Sequence, residues 1–306
     1  MLKISHIVKK FENVIALQNV SLSIMQGEFF GLLGPNGAGK STLMNIIIGY
    51  IESDSGQITI NDKIMSFENI ELRKKFGFVP QEISLYLELT AYQNLKIFGQ
   101  FYGLSSSVLG KKIEEVVELV QLKDRMKDPV REFSGGMKRR LNLAASLLHD
   151  PDIILCDEPT VGVDPQSRNA IFDMLSLLNK SGKTIVYTTH YMEEAERLCT
   201  RLAIIDNGNI ITQGSLSELI NQMNIKDTIK IQKTPFTSVK LPLLNKIGKI
   251  TENDFDYEMI PKDGYNRMSM IFTELESIGI PDTSIQINRA TLEDVFLNLT
   301  GRRLRD

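Results

Sequence analysis

The apolar run EFFGLLG (28–34) continues without a break into GPNGAGKST (34–42), and TLMNIII follows. A branched, apolar strand that ends on a glycine-rich loop, which in turn opens a helix, commits this part of the chain to an α/β architecture. The loop fits G-x-x-x-x-G-K-[ST] from Gly34 to Ser41. Its glycines let main-chain N–H groups turn inward, and the helix N-terminus behind them favours negative charge. Gly34, Pro35, Asn36, Gly37, Ala38, Gly39, Lys40, Ser41 and Thr42 are therefore expected to wrap a nucleotide's phosphates. Lys40 would reach the β- and γ-phosphates and Ser41 would supply a Mg²⁺ ligand. The loop specifies a nucleoside triphosphate and nothing about the task.

Four more apolar runs, FGFVPQ (76–81), DIILCDE (152–158), KTIVYTTH (183–190) and RLAIIDNG (201–208), alternate with helical patterns such as SRNAIFDMLSLLNK. This predicts a doubly wound, mostly parallel sheet buried on both faces. QITIND (57–62) and LKISHIVKKF (2–11) fit a smaller antiparallel part. Ligands bind beyond the carboxyl ends of strands in such sheets. Those ends carry the glycine loop, Gln81, the pair Asp157–Glu158, and His190. Asp157 is the expected holder of Mg²⁺. Glu158 is the candidate base for an attacking water, because neighbouring strand side chains face opposite ways and can take different tasks. Gln81 suits a metal or water contact and His190 a γ-phosphate contact. Phe11, in KKFENVIAL, suits either a stacked base or core packing.

FSGGMKRR (133–140) starts a further helix, with Ser134 as the cap and Gly135 and Gly136 behind it. Lys138, Arg139 and Arg140 then fall near the partly positive helix end, which costs a few tenths to about 1 kcal/mol unless something negative compensates.

A net charge of −3 over 306 residues argues against nucleic acid as a main partner. The N-terminal segment lacks the apolar run of a signal peptide, and no apolar stretch reaches the roughly 18 to 20 residues of a membrane span. A cytoplasmic chain is expected. Cys156 and Cys199, without CxxC or clustered His, read as reduced, buried thiols.

Near residue 222 the pattern changes. DTIKIQK, PFTSVKLPLLNK, KITEND, FDYEMIP, YNRMSMIFTELESI and SIQINR read as strand, helix, strand, strand, helix, strand. That is the split βαβ order of a ferredoxin-like α+β domain. The expected division is 1–222 and 223–306. In TLEDVFLNLTGRRLRD, Thr291 with Asp294 suggests a capping box, and Leu292, Val295, Phe296 and Leu299 share one face.

Taken in order, GPNGAGKST, Gln81 in FVPQ, FSGGM, IILCDEP, Asp164 in VGVDP and His190 in TTH resemble the nucleotide-binding subunit of an ATP-binding cassette (ABC) transporter, over about residues 1 to 220. The resemblance implies a P-loop NTPase fold of ABC type with a helical signature subdomain. It implies ATP and Mg²⁺ as ligands, an integral-membrane permease as partner, and a place on the inner face of the cell membrane. It also implies a second ATP-binding subunit, identical or a close paralogue, paired head to tail. Each signature loop, here Ser134, Gly135 and Gly136, would then face the other subunit's γ-phosphate. By position, Phe11 becomes the base-stacking aromatic, Glu158 the base, His190 the γ-phosphate switch and Asp164 part of the loop crossing between subunits; Gln81 would link the metal site to the permease. Phe133 and Met137 stand where the family usually has Leu and Gln, and Gln93 where many relatives have Glu. The ending ATLEDVFLNLTGRRLRD resembles that of ABC-2 type exporters, a group including daunorubicin-resistance and sodium-efflux systems.

Two other readings compete. A soluble ABC ATPase acting on ribosomes or DNA would be expected to carry a second cassette or a long coiled coil, and neither is seen here. A GTPase or small-molecule kinase on the same loop would leave FSGGM without a purpose, and no N-K-x-D stretch is present.

Overall fold

The computed structural model describes residues 1–66, 68–262 and 268–301. Residues 265–267 of the predicted helix YNRMSMIFTELESI and residues 302–306 of the ending lie outside that range. By backbone proximity the chain forms two compact units, one of residues 1–216 and one beginning at Ser217.

Among its described residues the first unit holds ten strands: β1 (Leu2–Phe11), β2 (Val14–Ile24), β3 (Phe29–Leu33), β4 (Ser55–Ile60), β5 (Lys63–Ile64), β6 (Phe76–Val79), β7 (Ile153–Asp157), β8 (Thr184–Thr189), β9 (Arg201–Asp206) and β10 (Asn209–Gly214). Six form the main sheet in the order β10-β9-β3-β8-β7-β6. The pairs from β9 to β6 are parallel and β10 is antiparallel on the edge. Alternate side chains feed two cores, as a sheet covered on both faces requires. Phe29, Ile154, Cys156, Ile185 and Tyr187 join the core under the helices Gly135–Leu147 and Pro165–Lys180. Phe30, Leu155 and Val186 join the opposite core, with the helix Lys40–Ile47 and the antiparallel sheet β2-β1-β4-β5.

Register decides where the chemistry goes. Leu33 pairs with Thr189, Asp157 with Thr188, and Val79 with Cys156. Gly34, His190, Glu158 and the Pro80–Gln81 turn consequently leave the sheet along one edge. Both cysteines are free. Burial pushes the Cys156 thiol up to about 12, so it stays protonated and inert.

The second unit holds β11 (Thr228–Gln232), β12 (Gly248–Glu252), β13 (Asp256–Pro261) and β14 (Ile285–Asn288), wholly antiparallel in the order β12-β13-β11-β14. Its core joins Ile229, Ile231, Tyr257 and Met259 to Leu244, Ile247, Ile271 and Leu275 from helices Leu241–Ile247 and Met268–Ser277. PFTSVKLPLLNK, read above as one helix, is two: Pro235–Val239 and Leu241–Ile247. Pro242 explains the break, since proline lacks an N–H and is accommodated in a helix's first turn rather than its interior. The final helix, Leu292–Thr300, has the Thr291–Asp294 capping box and buries Leu292, Val295 and Phe296.

Candidate functional site

The glycine loop takes its shape from two close approaches. A Cβ on Gly34 would lie 2.2 Å from the Ile205 carbonyl oxygen, and one on Gly39 2.6 Å from that of Ala16. Gly39 also has φ +107°, in the region that only glycine enters freely. Behind it the helix begins at Lys40, whose ammonium donates to the Gly34 and Pro35 carbonyls at 2.8 and 3.1 Å.

Three further side chains converge on Glu158. Lys40 Nζ is 3.0 Å from its Oε1, Gln81 Nε2 donates to Oε2 at 3.4 Å, and His190 Nδ1 lies 3.3 Å from Oε2 without hydrogen-bond alignment. Glu158 has φ +45°, an uncommon conformation for a side-chain-bearing residue. The Thr188 hydroxyl secures the bend: it accepts from the Glu158 N–H at 2.9 Å and donates to Asp157 Oδ1 at 2.6 Å. Among the described residues no hydrogen bond engages Asp157 Oδ2.

A cavity of about 750 Å³ opens over this cluster. Asn36, Gly37, Gly39, Lys40, Ser41, Thr42, Gln81 and Glu158 line it, together with Val14, Ile15, Ala16, Gln18 and Asn207. Phe11 does not line it. That ring is 43% exposed at the end of β1, with Lys9 Nζ 5.3 Å from its centroid. The β2 wall and Asn207 carried no motif, so sequence reasoning missed them.

Ser134 caps its helix by accepting from the Met137 N–H at 3.2 Å. Phe133 is buried in the helical core and Met137 packs against it, which accounts for two apolar residues at those positions. A Cβ on Gly136 would lie 2.1 Å from Ser167 Oγ, whereas one on Gly135 would meet nothing closer than the Gly162 carbonyl at 3.8 Å. Asp164 caps the helix Pro165–Lys180 by accepting from the Ser167 N–H at 2.9 Å. That hydrogen bond holds its carboxyl below the usual range.

Two of the three cations behind the signature glycines find carbonyl acceptors within the chain, while the Nε of each has no hydrogen-bond partner among the described residues. Arg139 is buried and donates through Nη1 to the Pro80 carbonyl at 2.9 Å and through Nη2 to the Gln81 carbonyl at 2.7 Å. Arg140 Nη1 donates to the Val120 carbonyl at 2.9 Å, and Lys138 is half-buried. Desolvation draws both guanidiniums below their ordinary value. Arg139 and Arg140 thus answer main-chain carbonyls of their own chain. Gln93, too, has a local task, as its amide oxygen accepts from the Thr90 N–H in a capping box.

Residues 17–161 match the ABC transporter family model. Over its whole length the chain is 40% identical to the linearmycin resistance ATP-binding protein LnrL of Bacillus subtilis (strain 168), covering 100% of both chains. It is 37% identical to the Nod factor export ATP-binding protein I of Ralstonia nicotianae, covering 100% of this chain and 95% of that one. Among solved structures, the dimeric bacterial ABC transporter cassette MJ0796 superposes with a TM-score of 0.65 at 31% identity, covering 71% of this chain and 99% of that one. The same cassette in a dimeric post-hydrolysis state bound to ADP and Pi gives 0.64, again at 31% identity, with the same coverage. With the phosphate loop, acidic strand end and signature helix assembled on this fold, the chain belongs to the ABC transporter family, as an ATP-binding subunit.

Proposed function

We propose that this protein hydrolyses ATP to power export through a separate membrane permease. The observation that carries this reading is the convergence of Lys40, Gln81 and His190 on Glu158 beside the phosphate loop. Glu158 takes the proton of the attacking water. His190 contacts the γ-phosphate, and Lys40 exchanges Glu158 for the β- and γ-phosphates when nucleotide enters. Gly34 to Thr42 enclose those phosphates. Phe11 is assigned to stack on the base, although its ring lies outside the cavity lining in this structure.

Mg²⁺ suits the donors present. Ser41 offers a hydroxyl, Gln81 an amide oxygen and Asp157 its unengaged Oδ2, and Mg²⁺ typically takes one or two carboxylates with water and phosphate oxygens. When bound, the ion neutralises charge on the phosphates.

Ser134, Gly135 and Gly136 face the γ-phosphate held by a second ATP-binding subunit, and Asp164 lies in the loop that meets it. The dimeric state of the cassette MJ0796 supports this pairing. ATP closes the pair and hydrolysis reopens it.

No described helix is long and apolar enough to cross a membrane. The separate permease is assigned on the similarity to ATP-binding subunits of exporters. A cavity of about 320 Å³ is lined by Ile48, Ile70, Phe76, Phe78, Phe101 and Tyr102 together with Arg73 and Lys74; Phe101 is 72% exposed there, which supports docking of such a partner. The site of action is the cytoplasmic face of the membrane. Export follows from the similarity to resistance and Nod factor export subunits. Residues 223–306 form an accessory unit that supports the dimer or regulates it.

The test is to recover the chain from detergent-solubilised membranes and identify its companions. An integral membrane protein is expected. Recovery with ribosomes instead would overturn the transport role.

A further inference from the structure

One buried acidic group in the first unit has no part in the chemistry above. Glu194 stands in the helix Met192–Leu198, four residues after His190, and is 3% exposed. Three hydroxyls donate to it: Thr160 to Oε1 at 2.8 Å, Tyr187 to Oε2 at 2.8 Å and Thr189 to Oε2 at 2.9 Å. All three donors are buried. Burial first, and then the Glu194 charge, raise the Tyr187 phenol well above its ordinary range, so it remains a donor. Arg168 Nε lies 3.8 Å from Oε1.

An acidic group in a core is costly unless its oxygens are satisfied, and an apolar residue would fill the space more cheaply. Its donors show what it gains. Thr189 directly precedes His190, and its hydroxyl also accepts from the Tyr191 N–H at 2.9 Å. The main chain on both sides of His190 is therefore tied to Glu194. Thr160 lies two residues beyond Glu158, at the start of the loop that leads to Asp164. Glu194 thus joins the end of β8 to the segment after β7, across which His190 and Glu158 meet.

We infer that Glu194 is a positioning residue: by holding Thr189 and Thr160 in one hydrogen-bonded cluster, it fixes His190 against Glu158. This rests on the roles given above to His190 and Glu158.

The experiment uses the full chain, with steady-state ATP hydrolysis, binding of a fluorescent ATP analogue and thermal melting. Glu194→Ala lowers kcat by about 10- to 100-fold, the scale of a misplaced catalytic group, with KM and analogue affinity within about threefold. Glu194→Gln stays within about threefold of wild type in kcat, since its amide oxygen can accept from Tyr187 and Thr189 while its NH₂ donates to Thr160. On a His190→Ala background, adding Glu194→Ala costs no more than about twofold, because the route through which it acts is already gone. Should Glu194→Ala fail to fold, Thr189→Val removes one hydroxyl at nearly constant shape and shows the same pattern with a loss of about 3- to 10-fold. Full-rate turnover by Glu194→Ala, or by Thr189→Val in its place, overturns the positioning role. So does a loss that repeats in full on His190→Ala. Full-rate turnover by His190→Ala alone overturns the underlying reading of the site, and this inference with it.

Discussion

The Lys40 ammonium lies 3.0 Å from the Glu158 carboxyl, and both side chains are buried. Lys40 also donates to the Gly34 and Pro35 carbonyls, so its ammonium has anchors in the loop besides that carboxylate. Glu158→Gln removes the competing charge and, on the function proposed above, the base as well. ATP binding is expected to be at least as tight as in wild type, while turnover falls by roughly 10²- to 10⁴-fold. Binding of a fluorescent ATP analogue and steady-state hydrolysis check the two halves, and unchanged turnover would remove Glu158 from the role of base.

The two signature glycines should separate by assay. A methyl on Gly136 collides with Ser167, and overpacking of this kind costs about 1 to 3 kcal/mol. Gly136→Ala is therefore expected to lower Tm. Gly135 has open space within its own chain, so Gly135→Ala should melt like wild type yet fail to form the ATP-trapped dimer in a Glu158→Gln background. Sizing chromatography with ATP reads the second outcome, and normal dimer formation would count against a role for Gly135 at the partner's nucleotide.

Arg139 binds the Pro80 and Gln81 carbonyls with two nitrogens of one planar group. Lysine keeps the charge but cannot reproduce that fork. Arg139→Lys is expected to lose about 1 to 3 kcal/mol, the cost of leaving a buried carbonyl unsatisfied. Its kcat should fall with little change in KM, because the Gln81 main chain is released. Denaturant melts and Michaelis–Menten kinetics test this, and a variant as stable and active as wild type would make the contact incidental.

Asp164 gives a pH prediction. Its carboxyl is held below the usual range by the Ser167 N–H, so its folded value is depressed relative to an unfolded value of about 3.9. The stability it contributes is present above that value and lost as pH falls through the folded one. Asp164→Asn keeps a cap without titrating, so the Tm difference between wild type and variant should shrink on acidification below about pH 4. A difference independent of pH would show that the charge contributes nothing.

Much of this was legible in the chain. Periodicity located β3, β6, β7, β8 and β9, because branched residues in short apolar runs suit strands buried on both sides. The same reasoning ran two helices together at PFTSVKLPLLNK, where a weak apolar pattern masked the effect of Pro242. β2 went unread because VIALQNVSLSI has a bulged register against β1 and only partial alternation.

The sequence by itself determined the central strands β3, β6, β7, β8 and β9, and which chemical groups stand at their ends. Local propensity and side-chain period encode those properties residue by residue. Tertiary structure alone decided that Arg139 meets the Pro80–Gln81 turn, that Lys40 rests on Glu158, and that Glu194 gathers hydroxyls from Thr160, Tyr187 and Thr189. Those partners are far apart in the chain or come from separate elements. They meet through strand register and helix docking, which are set by the packing of both cores rather than by any local pattern.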